Sequence, residues 1–179
     1  VIETIAIARV LREAVQTPYR NLVTRPTGAA VRGRIESELA DTGEWQAALL
    51  DFAEVDLLDL SCADEVVAKL VRHAQQRDGR VVMLRGLHQD LCEAVHEVLE
   101  HQQLAVVIID GNHASLLGAV ADDARSVFST LSAFTALSAP EVARYLGWTA
   151  DRAHVAISTL TAMRLARPSG DGFLRLPLA

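Results

Sequence analysis

Residues 47–84, AALLDFAEVDLLDLSCADEVVAKLVRHAQQRDGRVVML, decide the fold of this chain. They open on a short apolar run, Ala47 to Phe52, with the length and character of a buried strand. A helix to about Arg77 follows. Ser61 is its expected N-cap with Asp64 at N3, and Leu60, Val67, Leu70 and Val71 share its inner region. Asp78-Gly79 is a stop signal. Arg80 to Leu84 is another buried strand. Strand, helix and strand with continuous apolar runs form the repeating unit of an α/β sheet covered by helices.

The same alternation extends outward. Ile2 to Ile7 is loosely alternating and rich in β-branched residues, which predicts a strand. Arg20 to Thr24 is a shorter candidate. Pro26 fits the first turn of a helix running to about Ala40, where its missing N–H would be unpaired in any case. Leu91, Val95, Val98 and Leu99 recur at helical spacing, and Leu104 to Ile109 is a last strand. Asp110-Gly111-Asn112-His113 is a turn-rich break. Charge shifts there too. Residues 1–118 carry eleven basic and eighteen acidic side chains, whereas residues 119–179 carry six and five. Two domains are expected, residues 1–114 and 115–179.

The second domain has a different character. Val127, Phe128, Leu131 and Phe134 mark one helix. Ser138-Ala139-Pro140-Glu141 starts another with a capping-box pattern, which carries Val142, Tyr145 and Leu146 and stops at Gly147. Thr149 caps a third helix, with Asp151 at its positive end and Ala153, Ile157, Leu160 and Met163 on its apolar face. Leu165 to Pro168 and Phe173 to Leu176 flank Ser169-Gly170-Asp171-Gly172, the pattern of a β-hairpin.

Composition narrows the function classes. Of the 179 residues, 50% are hydrophobic and 22% charged, which excludes a disordered chain. Two cysteines cannot build a disulfide scaffold. No apolar run approaches the roughly 18 residues of a membrane helix, so a cytoplasmic protein without membrane contact is expected. The net charge of −6 excludes a globally basic nucleic-acid coat, so DNA contact would need a local patch. Sixteen of the seventeen cations are Arg, a bias associated with GC-rich bacterial genomes.

Two family resemblances follow from these residues. The stretch Leu50 to Leu70, with a strand ending in Asp, a second apolar-Asp step and a Ser at a helix start, resembles the STAS family of sulfate transporter and anti-sigma factor antagonist domains. Tyr19 to Glu38 is similar to the strand-Arg-helix segment of the STAS-like branch. The stretch Leu137 to Pro168, followed by the hairpin, resembles the winged helix-turn-helix family. Together they imply an α/β STAS-like sheet-and-helix domain followed by a small winged-helix domain. The antagonists' phosphoacceptor serine directly follows the Asp matched by Asp59. Here Leu60 holds that position, and Ser61 lies one residue on, about 100° around a helix.

The candidate site residues divide by domain. Arg152, Val155, Ser158 and Thr159 form the expected recognition face of the third helix, with His154 at its edge and Thr149 at its cap. Arg144, Arg167 and Arg175 are candidate phosphate contacts on double-stranded DNA. Asp59 and Ser61 are a candidate phosphorylation or partner switch, against the plain reading of Ser61 as a cap. Arg25 and Arg32 flank the Pro26 helix start, a candidate anion site, against surface charge paired with Glu36 or Glu38. Asp51, Asp56 and Asp59 are considered for a cation, Cys62 for a thiol activated in a first helical turn, and Cys92 with His96 and His101 for zinc. Each has a plainer structural reading, and no metal or cofactor is expected. No phosphate loop or nucleophile motif is present, so a non-enzymatic bacterial regulator is expected. It would be a homodimer that binds DNA through the winged helix. The alternative is an adaptor that docks a sigma-associated or kinase-like protein.

Overall fold

A computed structural model describes residues 2–16, 18–43, 45–77 and 79–176. The chain order begins β1 (Ile2–Ala6), α1 (Ile7–Val15), β2 (Asn21–Leu22), α2 (Arg25–Asp41), β3 (Ala47–Asp51) and β4 (Leu57–Leu58). Next come α3 (Leu60–Ala63), a π-helical segment (Asp64–Ala68), α4 (Lys69–Gln75), β5 (Val81–Arg85), α5 (Gln89–His101), β6 (Ala105–Asp110) and β7 (His113–Gly118). The chain is mixed α/β with a mostly parallel central sheet in the order β1-β3-β5-β6-β7. The β1–β3, β3–β5 and β5–β6 pairs are parallel, with Ile5 opposite Leu50, Leu50 opposite Leu84 and Leu84 opposite Ile108. Ile5, Leu50, Leu84 and Val106 thus bring apolar side chains to a core shared with Ile35 and Leu39 of α2, Leu70 of α4, and Val95 and Leu99 of α5.

Two compact units divide the chain. One is Val1–Asn112 with Leu117–Ala119, and the other is His113–Leu116 with Val120–Ala179. The second contains α6 (Asp122–Thr130), α7 (Ala139–Leu146), α8 (Ala150–Ala162) and the antiparallel pair β8 (Ala166–Ser169) and β9 (Gly172–Arg175). Its buried side chains include Val127, Phe128, Val142, Ile157, Leu160 and Leu174. Leu137 exchanges both backbone hydrogen bonds with Phe173, at 3.1 and 2.9 Å, and so joins the hairpin ahead of α7. Gly172 is required there, because a Cβ would come within 2.8 Å of the Leu137 backbone. Among the described residues no helix is long and apolar enough to cross a membrane.

Several elements differ from expectation. The strand at the start ends at Ala6, and α1 follows at once. Ile7, Val10 and Leu11 are buried at i, i+3 and i+4, a helical face that the preceding alternation concealed. The segment Arg20 to Thr24 supplies only two paired residues, which join β4. The turn at residues 111–112 leads straight into β7, a strand beyond the one expected to be last. Of the Asp78-Gly79 stop, Asp78 lies outside the described residues, while Gly79 takes φ 76°. Phe134 lies beyond the end of α6 and is 80% exposed, and Tyr145 on α7 is 73% exposed. Their apolar spacing suggested core packing, but tertiary contacts place only Val127, Phe128 and Leu131 of the first set, and Val142 of the second, inside.

The helix start near residue 60 also differs. Asp59, not Ser61, is the N-cap of α3, and its carboxylate accepts the Cys62 N–H at 2.7 Å. Beyond it the helix widens by one π turn. Gly28 of α2 lies against this stretch. A Cβ there would come within 3.0–3.1 Å of Glu65 and Cys62.

Candidate functional site

In the first unit, Asp59 organises the entry to α3. Oδ1 accepts from Cys62 N and from the Ser61 hydroxyl, at 2.7 and 2.8 Å, and Oδ2 accepts from Thr24 N at 2.8 Å. Burial pushes the carboxyl up, but these donors outweigh it and hold it below its ordinary value. Thr24 sits at φ 72°, a conformation strained for a residue with a Cβ. The Ser61 hydroxyl is therefore tied to a carboxylate. A phosphate on it would place like charge against Asp59.

The candidate anion site at the α2 start is occupied by the chain's own carboxylates. Arg25 donates to Asp64 at 2.6 Å and to Glu65 at 2.7 Å. Arg32 donates to Glu65 at 3.2 Å and to Glu36 at 3.1 Å. Lys69, one turn beyond Glu65, is its third cation. Glu65 is only 3% exposed and is the one buried charged side chain among the described residues. Burial raises its pKa, but Lys69, Arg25 and Arg32 together hold it below the usual carboxylate range. The Arg residues were legible in sequence but their main partner was not. The i,i+4 spacing of Glu65 and Lys69 was the available signal.

The other sequence candidates in this unit resolve into separate structural roles. Asp51 pairs with Arg85 at 2.8 Å and Asp56 with Arg20 at 3.2 Å, while Asp59 is a cap, so the three carboxylates do not converge. Cys62 is buried and donates to the Thr24 carbonyl at 3.0 Å. Burial, reinforced by Asp59, pushes its thiol up to about 12, the opposite of activation. Cys92 contacts the Leu87 carbonyl, and His96 accepts the Gly118 N–H at 3.3 Å. Among the described residues no group of three or more His, Cys, Asp or Glu is placed to hold a metal.

The second unit builds its surface on two capped helices. Ser138 and Glu141 form a reciprocal capping box at the start of α7, and Gly147 ends it at φ 67°. Thr149 caps α8 by accepting the Arg152 N–H at 3.3 Å. On α8 the buried set Ala153, Ala156, Ile157 and Leu160 faces inward. This leaves Arg152, His154, Val155 and Ser158 exposed, with Val155 at 66%. Thr159 is half-buried and donates its hydroxyl to the Val155 carbonyl at 3.1 Å. Arg144 and Arg167 are exposed and outside any ion pair of the described residues.

Two of the candidate DNA contacts are engaged internally. Arg175 donates to the Leu131 carbonyl at 3.0 Å and lies over the Phe128 ring, so it braces the hairpin instead of facing outward. Arg152 stacks over Trp148 at 4.0 Å and makes two 2.7 Å hydrogen bonds to Asp123 of α6. The Asp123 carboxyl is held below its ordinary value by that contact. Nothing in the sequence spacing marks Asp123 as this partner, because the two residues lie 29 positions apart.

None of the known protein families, curated proteins or solved structures matches this chain.

Proposed function

We propose that the chain is a non-enzymatic bacterial regulatory protein, with a STAS-like first unit that senses or binds a partner and a winged helix that binds double-stranded DNA. The observation that carries this reading is the order of elements in the second unit. Two capped helices, α7 and α8, are joined by the short Gly147–Thr149 turn, and a hairpin follows that is bridged back to Leu137. That order supports a helix-turn-helix with a wing. The proposed contacts are Arg152, Val155 and Ser158 on α8, Thr149 at its start, Thr159 at the flank, and Arg144 and Arg167 toward phosphates. Arg175 is assigned to the hairpin instead. The footprint is small, and a homodimer on two half-sites would double it.

The test is fluorescence anisotropy on mixed-sequence duplex DNA over a range of salt concentrations. Affinity should fall steeply with salt. Arg152→Ala should weaken binding by about tenfold. Asp123→Ala should tighten it, because it removes the carboxylate that competes with DNA for Arg152. Absence of salt-dependent binding, or equal weakening by both variants, would reject the DNA reading.

A second reading has its own observation. Arg152 is neutralised by Asp123, while Phe134, Tyr145 and Val155 present large apolar surface. That supports the adaptor alternative, in which this unit docks a protein such as a sigma-associated or kinase-like partner. It is distinguished by a stable protein complex in the absence of duplex binding.

A further inference from the structure

A cavity of about 460 Å³ opens in the first unit between α2, α4 and the start of β5. Its volume lies in the range of small-molecule sites, roughly 300–1,000 Å³. The floor is apolar, formed by Leu39, Leu70, Ala74 and Val82. One wall is the Trp45 ring, with the Arg80 guanidinium 4.8 Å from its centroid. Arg77, Glu36 and His73 also line the cavity.

Charge pairing distinguishes these groups. Glu36 is matched by Arg32 at 3.1 Å and by His73 at 2.9 Å. Among the described residues neither Arg77 nor Arg80 has a carboxylate within ion-pair distance, although almost every other cation of this unit has one. An apolar floor beside an aromatic wall suits a flat hydrophobic body, and two Arg residues with no carboxylate partner among the described residues suit an anion, which Arg can bind in a forked geometry.

We infer that this cavity binds a small amphipathic carboxylate, with its apolar ring system against Trp45 and the floor and its carboxylate at Arg77 and Arg80. The inference does not depend on whether the second unit binds DNA. It gives the first unit a ligand of stated chemistry, where the α2 start holds only the chain's own carboxylates.

The probe is naphthalene-2-carboxylate, titrated into the full chain by calorimetry and compared with naphthalene-2-methanol, its neutral counterpart. Saturable binding of the carboxylate is expected, with the alcohol weaker by about tenfold. Arg77→Glu, at an exposed position, should weaken the carboxylate by at least about tenfold and leave the alcohol unchanged. Ala40→Phe, an exposed substitution at the mouth, should remove binding of both. Circular dichroism checks that each variant is folded. The inference is overturned by absence of saturable binding at millimolar probe, by equal affinity for acid and alcohol, or by an Arg77→Glu protein that binds the acid as the parent does.

Discussion

Replacing Glu65 by alanine is expected to destabilise the first unit by about 3–5 kcal/mol, the cost of breaking a buried charge cluster from its centre. The side chain is almost fully buried and accepts from Arg25, Arg32 and Lys69. Removing it leaves three cations around an empty, poorly solvated space. Glu65→Gln keeps hydrogen-bonding atoms but loses the charge, so a smaller loss of about 1–3 kcal/mol is expected. Arg25→Ala should cost less than either, because Arg25 is half exposed and two cations remain on Glu65. Urea unfolding of the three variants should rank them in that order. Equal stability of Glu65→Ala and the parent would refute the account.

Carboxylates of the first unit, Glu65 among them, set the acid limb. Glu65, Asp64, Asp59 and Glu38 are all held below their ordinary values when folded. A depressed carboxylate stabilises fully above its unfolded pKa, near 4, and that contribution is lost as pH falls through the lower folded values. Thermal stability should therefore fall as pH drops below about 4. In Glu65→Ala the fall should be shallower, since one of the linked carboxylates is gone.

Asp59→Ala is expected to cost about 2 kcal/mol, from a lost helix cap and an unpaired Thr24 N–H. Ser61→Ala should cost less than about 0.5 kcal/mol, because a Ser hydroxyl that only donates to the capping carboxylate holds no backbone group of its own. The contrast matters because the sequence points to Ser61 as the cap. If Ser61→Ala proved the more damaging of the two by chemical unfolding, the assignment of Asp59 as the cap would fail. Asp59 also holds Thr24 in its positive-φ conformation, so hydrogen exchange at the Thr24 to Gly28 turn should accelerate in Asp59→Ala.

Much of the α/β alternation was legible because burial on a sheet leaves uninterrupted apolar runs. Ala47 to Leu50, Val82 to Leu84 and Ala105 to Val107 are such runs, and all lie in strands. The α1 helix was less legible because Ile5 and Ile7 continue an alternating pattern across the strand-to-helix junction. In the second unit the capping box, Gly147 and the glycine-bearing hairpin were readable because each is a local backbone requirement. The candidate site was less legible than the fold. Arg25, Arg32 and Arg152 were recognisable as cations, but their availability depends on which carboxylates the fold brings to them.

The sequence by itself determined where most of the strands and helices lie, because periodicity, caps and turn residues act over a few positions. It also located the charge asymmetry between the two halves. Only the tertiary structure decided which charges are free. It brought Glu65 to Arg25 across 40 positions and Asp123 to Arg152 across 29. It also left Arg77 and Arg80 without carboxylate partners among the described residues, beside an apolar cavity. The physical reason is range. Backbone preferences are set by neighbours in the chain, whereas a guanidinium is neutralised by whichever carboxylate packing places within a few ångströms.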